Sequence, residues 1–213
     1  MNCLSWNCRG LGNPRTVRVL GDLLKDRKPD ILFLSETIYA ANKIEDIRIR
    51  FGFVQCFSVD RVGRSGGLAI MWKNHVNCQI FGYSRNHIDV HMLDNNMVTW
   101  RLTYFYGYPE RSKRRNSWDL LRQLAGMSQL PWLIVGDFND LLYSSNKWGL
   151  VDHPQSLMDG FRQAVENNIL TELELRGGRF TWEKSRGKRM WVKERLDRSF
   201  AMAACGTNFH CAL

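Results

Sequence analysis

An aspartate and an asparagine stand two residues apart where an apolar run ends, in Leu133-Ile134-Val135-Gly136-Asp137-Phe138-Asn139. Residues i and i+2 of an extended segment point to the same side. The spacing therefore predicts a carboxylate and a carboxamide presented together at a strand end. One can accept a proton and the other can orient a water or a phosphate, which makes a hydrolytic pair. Asp and Asn also end strands merely by closing turns, so the pair needs company. Asn7 follows the alternating Leu4 and Trp6, Glu36 follows Ile31-Leu32-Phe33-Leu34, and Tyr106 lies in Thr103-Tyr104-Phe105-Tyr106-Gly107-Tyr108-Pro109. Asp197 completes the set, in Arg195-Leu196-Asp197-Arg198. Clustered carboxylates repel unless a hard cation sits among them. Magnesium takes oxygen ligands, with few carboxylates and several waters, and such an ion can neutralise a phosphate and orient a nucleophile.

Each position also has an ordinary use. Asn7 can satisfy a turn, Glu36 can be a surface residue, and Tyr106 can simply pack. Asp197 can pair with Arg195 or Arg198, an interaction worth little on a surface.

The elements that must position these groups are legible in outline. A first strand delivers Asn7, and Asn13-Pro14 signals a helix with Asn as N-cap and Pro at its first position. Val17, Leu20, Leu23 and Leu24 form its inward stripe. Pro29-Asp30 stops it, and the wholly apolar Ile31–Leu34 reads as a buried strand, so the chain begins βαβ. Phe51–Val59, Gly67–Trp72, Ile88–Leu93 and Val98–Gly107 read as successive strands, with turns at Arg61–Gly66 and Asp94–Asn96. A helix over Asn116–Ala125 has Trp118, Leu121 and Leu124 inward and Gly126 as terminator. A third starts at Ser156, with Asp159 at capping-box spacing and with Leu157, Phe161, Ala164 and Val165 inward. Phe180–Trp182 and Met190–Leu196 suggest a hairpin around Arg186-Gly187-Lys188. Many strands with few helices predict two sheets packed face to face, helices outside.

Composition bounds the rest. The 213 residues suit one domain, and an apolar fraction of 44% suits a packed core rather than a disordered chain. A net charge of +9 favours a polyanionic partner. Cys3, Cys8, Cys56, Cys78, Cys205 and Cys211 show neither C-x-x-C spacing nor a zinc pattern, which suits small core residues in a reducing compartment. No apolar run is long enough to cross a bilayer and no signal peptide is visible. The chain reads as an intracellular protein.

The ordered motifs resemble those of the endonuclease/exonuclease/phosphatase superfamily, and within it the apurinic-type endonuclease domain of plant non-LTR (LINE-type) retrotransposons. The matching pieces are Ser5-Trp6-Asn7-Cys8-Arg9-Gly10-Leu11, Leu34-Ser35-Glu36-Thr37, Ser65-Gly66-Gly67-Leu68-Ala69-Ile70 and Tyr106-Gly107. Gly136-Asp137-Phe138-Asn139, Gly178-Arg179-Phe180-Thr181-Trp182 and Glu194-Arg195-Leu196-Asp197-Arg198 continue the series. The resemblance implies a four-layer α/β/β/α sandwich of the DNase I-like kind, one domain over residues 1–213, and phosphodiester hydrolysis dependent on Mg2+ or Mn2+. It implies Glu36 as metal ligand with Asn7 beside it, and Asp137 as acceptor of a proton from the attacking water. Asn139 would orient that water or the phosphate, and Tyr106 would contact the phosphate. Asp197 would hold and polarise a histidine. Further implications are a nuclear, monomeric nicking enzyme with DNA as partner and a reverse transcriptase domain in an intact element.

The family's last strand carries Ser-Asp-His some two dozen residues beyond the position of Asp197. The chain ends at Leu213 without it, and none of His75, His87, His91, His153 and His210 stands in that motif. A clipped C-terminal strand and weak activity are therefore expected, and a catalytically dead nucleic-acid-binding remnant is the alternative. A phosphoesterase of the same fold acting on a small phosphoester is another, against which the hairpin's charge argues. Lys184, Arg186, Lys188 and Arg189 load its tip and, with Thr181, are candidate DNA contacts; Lys193 and Arg195 follow, against only Glu183 and Glu194. Arg111, Lys113, Arg114 and Arg115 form a second basic cluster, for DNA or merely a solvated loop.

Overall fold

The computed structural model describes residues 1–63, 66–173 and 178–202, and the backbone alone of His210–Ala212. Ser65, Cys205 and the side chains of His210 and Cys211 therefore lie outside the described residues. In chain order the first elements are β1 (Asn2–Asn7), α1 (Pro14–Arg27), β2 (Ile31–Ser35), α2 (Ala41–Arg50), β3 (Gln55–Val59) and β4 (Leu68–Trp72). They are followed by β5 (Cys78–Ser84), β6 (His87–Asp94), β7 (Met97–Tyr106), α3 (Arg114–Gly126) and β8 (Trp132–Asp137). The last are β9 (Lys147–Trp148), α4 (Gln155–Asn167), β10 (Leu170–Glu172), β11 (Trp182–Lys184), β12 (Val192–Glu194), β13 (Asp197–Met202) and β14 (His210–Ala212).

Among the described residues, one sheet runs β14-β1-β2-β4-β3 and a second runs β10-β13-β8-β7-β6-β5. Their inner faces bury Ile31, Phe33 and Ile70 against Val90, Leu102, Tyr104 and Val135, and Phe33 stacks on Tyr104 at 4.6 Å between ring centroids. The outer face of the first sheet gives Leu32, Leu34 and Ala69 to α1 and α2. That of the second gives Phe105, Ile134 and Phe200 to α3 and α4. Both β2 and β8 are buried on two sides, which explains their unbroken apolar runs. The result is the α/β/β/α sandwich that the strand pattern predicts. No described helix is long and apolar enough to cross a membrane.

Strand direction gathers the candidate residues. β1 and β2 are parallel and in register from Cys3↔Ile31 to Asn7↔Ser35, so Asn7 and Glu36 leave the first sheet at one end. In the second sheet Tyr106 and Asp197 are both paired with Asp137, from β7 and β13 respectively.

Several elements differ from the sequence reading. Helix α2 and strand β5 were not foreseen, because α2 buries only Ile44 and Ile47 and has no side-chain cap, and β5 alternates between half-buried and exposed positions. Phe51, expected to start a strand, instead closes α2. The capping box at Ser156 does not form: α4 begins at Gln155 after Pro154, with no side-chain cap, and Gln155 Nε2 donates to Asp159 at 2.8 Å. Gly126 lies in the last turn of α3 rather than beyond it. Asn13 does cap α1, its side chain accepting from the Arg15 N–H at 2.9 Å.

The second sheet also encloses a fully buried ion pair. Arg101 Nε donates to both oxygens of Asp89 at 3.0 and 2.8 Å, and Thr103 donates to the same carboxylate at 2.8 Å. Removing one partner of such a pair strands the other charge, typically at a cost of about 3–5 kcal/mol. Arg101→Met is expected to lower unfolding stability by about that amount in urea, and a loss under about 1 kcal/mol would show that Asp89 is satisfied without it.

Candidate active site

One carboxamide joins the two sheets at their shared end. Asn7 Nδ2 lies 3.0 Å from Glu36 Oε1 and 3.0 Å from Asp137 Oδ2. The Tyr106 hydroxyl donates to the same Glu36 oxygen at 2.6 Å. The Arg9 N–H donates to Asn7 Oδ1 at 3.3 Å, which fixes the other side of the amide. Arg9, Glu36 and Asn139 have φ of 48°, 53° and 51°, a left-handed backbone that non-glycine residues adopt sparingly and that clusters at functional sites. Glycine is required where strands β7 and β8 end. A Cβ on Gly136, at φ +148°, would meet the Phe105 carbonyl oxygen at 2.0 Å, and one on Gly107 would meet that of Phe138 at 2.2 Å.

Asn139 corrects the strand-alternation reading. It turns out of the strand direction, its backbone N–H donates to Asp137 Oδ1 at 2.9 Å, and its Nδ2 donates to the Gly107 carbonyl at 2.9 Å. A tight turn, not an i, i+2 strand face, ties the two side chains together.

Burial dominates the electrostatics. It raises the Asp137 carboxyl above the ordinary aspartate range, and the Glu36 charge raises it further; hydrogen bonds from Asn7 and Asn139, and the Arg9 charge, oppose the shift. Burial and the neighbouring Asp137 push Asp197 up to about 7, against a hydrogen bond with Thr181. Burial and the Glu36 carboxylate keep the Tyr106 phenol protonated. Among the described residues neither aspartate has an ion-pair partner, because Arg195 and Arg198 both turn to Glu172. Thr181 Oγ1 accepts from the Leu196 and Asp197 N–H groups at 3.1 and 3.0 Å, which anchors it beside Asp197.

A cavity of about 640 Å³ opens here, lined by Asn7, Arg9, Asp137, Phe180, Thr181 and Asp197 among others. Arg9 is the residue to which the sequence reading gave no role, although it stands two residues after Asn7 inside the motif Ser5-Trp6-Asn7-Cys8-Arg9-Gly10-Leu11. A larger cavity, of about 800 Å³, lies among Lys28, Phe51, Phe53 and Lys73 and holds none of these groups.

The candidate DNA contacts divide. Lys184, Arg186, Lys188 and Arg189 are all exposed around the tip between β11 and β12. The second basic cluster does not act as one. Arg114 is buried, its Nη1 3.2 Å from Asp140 and 3.0 Å from His153 Nε2, and Lys113 pairs with Glu110 at 3.0 Å.

No described histidine side chain meets Asp197. His75 pairs with Asp30, His87 contacts Ser84, His91 stacks on Phe81 and His153 contacts Arg114. The backbone of His210 is in register with Asn2, at the end of β1 remote from Asn7.

Among the described residues, no three His, Cys, Asp or Glu side chains converge as a metal cage. Glu36 and Asp137 nevertheless bring carboxylate oxygens together across the Asn7 carboxamide, and the Glu36 charge raises the proton affinity of Asp137. Few protein oxygens with room for water suit Mg2+ better than ions that need a complete protein cage.

The sequence matches the model of the Endonuclease/Exonuclease/phosphatase family over residues 4–206. No curated protein sequence matches it. Among solved structures, it is similar to the Neisseria 3′ phosphatase NExo (D146N) bound to a product DNA hairpin, with a TM-score of 0.68 and 18% identity over 95% of this chain and 86% of that one. The endonuclease domain of TRAS1, a telomere-specific non-LTR retrotransposon, gives a TM-score of 0.64 and 16% identity over 91% and 83% of the two chains. An AP endonuclease from Archaeoglobus fulgidus gives 0.64 and 15% identity over 94% and 85%.

The raised Asp197 carboxyl has a pH signature. An unfolded aspartate titrates near about 3.9, so a folded one at about 7 makes folding favour the protonated form. That contribution is complete below about 3.9 and is lost as pH rises through about 7. Asp197→Asn cannot ionise. In metal-free buffer it is expected to raise the urea midpoint at alkaline pH, with a gain that shrinks steadily as the solution is acidified; a pH-independent gain would contradict the assignment.

Proposed function

The chain belongs to the endonuclease/exonuclease/phosphatase family, and on that premise we propose that it is a metal-dependent phosphodiesterase that nicks DNA. The observation that carries this is the meeting of Glu36 and Asp137, from different sheets, on one amide of Asn7. Glu36, with Asn7 beside it, would hold Mg2+ or Mn2+. When bound, such an ion supplies charge neutralisation at the phosphate and orientation of the nucleophile.

The chain's own residues do the rest. Asp137 takes a proton from the attacking water, a task for which burial has raised its basicity. Asn139 holds that carboxylate through its backbone N–H; one carboxamide N–H is committed to Gly107, and the second serves water or phosphate. Tyr106, kept protonated, commits its one hydroxyl hydrogen to Glu36 and would lie in contact with the phosphate. Arg9 faces both aspartates and offsets their charge. Thr181 sets the Asp197 loop, and Lys184, Arg186, Lys188 and Arg189 grip the DNA backbone.

The similarity to the TRAS1 endonuclease domain supports the retrotransposon assignment. On that reading the chain is a single nuclear domain, working as a monomer beside a reverse transcriptase. One observation favours the alternative, a DNA-binding fold with little turnover: no described histidine side chain reaches Asp197.

Two experiments test the reading. Plasmid nicking with Mg2+ is expected to fall about 100- to 1000-fold in Asp137→Asn, the scale of removing one preorganised catalytic group. Equal, robust nicking by the variant and the wild-type chain would contradict the role given to Asp137. Neutralising Lys184, Arg186, Lys188 and Arg189 together should flatten the dependence of log affinity on log salt, by about 0.9 for each phosphate the hairpin no longer neutralises. An unchanged slope would remove the hairpin from the DNA interface.

A further inference from the structure

The small sheet β11-β12-β9 has two unlike faces. One is turned to the body: Trp182 packs against Leu141, Met158 and Leu196, and Lys147 and Glu194 form a mostly buried ion pair. Alternation puts Glu183, Lys193 and Trp148 on the other face, since Lys193 is in register with both. Trp191 joins them, its Nε1 3.3 Å from Glu183 Oε2.

This outward face is built as a platform. Trp148 and Trp191 meet edge to face, 5.2 Å between centroids and 73° between planes. The Lys193 ammonium lies 4.4 Å from the Trp191 ring centroid and 5.8 Å from that of Trp148. Trp191 is thus held by a cation, a carboxylate and a second ring, whereas Trp148 remains 50% exposed. Two tryptophans on the solvent face of a three-stranded sheet contribute nothing to the core. Their surroundings carry more cations than acids: Lys184, Arg186, Lys188, Arg189 and Lys193 share one hairpin, Glu183 on the same face is held by Trp191 and by Arg186 at 3.6 Å, and Glu194 is occupied by Lys147. Strand β12 leads through Arg195 and Leu196 into Asp197, so Lys193 lies about 13 Å from Asp197 along an extended chain.

We propose that Trp148, braced by Trp191 and Lys193, stacks an unpaired base of single-stranded DNA flanking the cleavage site. The inference rests on the DNA reading above and deepens it, giving that substrate a frayed or single-stranded segment. An aromatic face beside phosphate-binding cations suits this ligand because every base offers a π-face and every linkage a negative charge. A fully paired duplex hides its base faces and gains nothing from the ring.

The test is binding of fluorescein-labelled (dT)12 and of a blunt duplex, by anisotropy in EDTA, across a salt series. Trp148→Ala is expected to weaken (dT)12 binding about tenfold or more, to leave duplex binding within twofold, and to keep the wild-type salt slope; Trp148→Phe should restore most of the loss. If Trp148→Ala binds (dT)12 like wild type while neutralising the hairpin cations still flattens the slope, the platform is refuted and the DNA reading stands. If the wild-type chain binds neither DNA even at low salt, both are refuted.

Discussion

Two carboxylates and one amide between them set the terms for this molecule. Glu36 and Asp137 come from different sheets, and placing them beside each other at a half-buried mouth is unfavourable without compensation. The Asn7 carboxamide donates to both and supplies part of it. The geometry exists only because the inner faces of the two sheets pack over Phe33, Tyr104 and Val135, so that β1, β2, β7, β8 and β13 present their site-bearing ends together. Strain follows from the same demand. Arg9, Glu36 and Asn139 all accept a left-handed backbone so that their side chains or amides reach the mouth.

The charges left over give the site its character. Asp137 and Asp197 lie opposite each other on neighbouring strands, both raised by burial, and the arginines beside Asp197 in sequence turn to Glu172 instead. What remains is a proton acceptor of unusual basicity near Arg9, within a chain of net charge +9. On the proposed reading a polyanion is drawn in by the hairpin and reacts where protein oxygens and Arg9 line the cavity.

Much of this was legible in the sequence, and the failures have physical causes. The doubly buried strands β2 and β8 announced themselves as continuous apolar runs leading to Glu36 and Asp137, and the alternating β1 delivered Asn7; these three residues converge. Family motifs supplied Tyr106 and Asp197, which composition alone could not distinguish from packing and surface pairing. Asn139 was placed by strand periodicity, which stops at Asp137; a local hydrogen bond then decides its direction. Arg114 looked like part of a basic surface, but a buried Asp140 recruits it, a tertiary fact with no local signature. Helix α2 was missed because its two buried isoleucines are too few to mark a period. Arg9 stands in a family motif, but nothing in the sequence gives it a role; only the folded loop brings it to the cavity.

The most direct measurement is divalent-cation binding itself, followed by Mn2+ electron paramagnetic resonance titration of the wild-type chain, Glu36→Gln and Asn7→Ala, without DNA. The account predicts one Mn2+ per wild-type chain, displaced by Mg2+, with affinity at least about tenfold weaker in Glu36→Gln and also reduced in Asn7→Ala. Identical Mn2+ affinity in the wild type and Glu36→Gln, with both folded, would mean that the oxygen cluster is not where a cation sits.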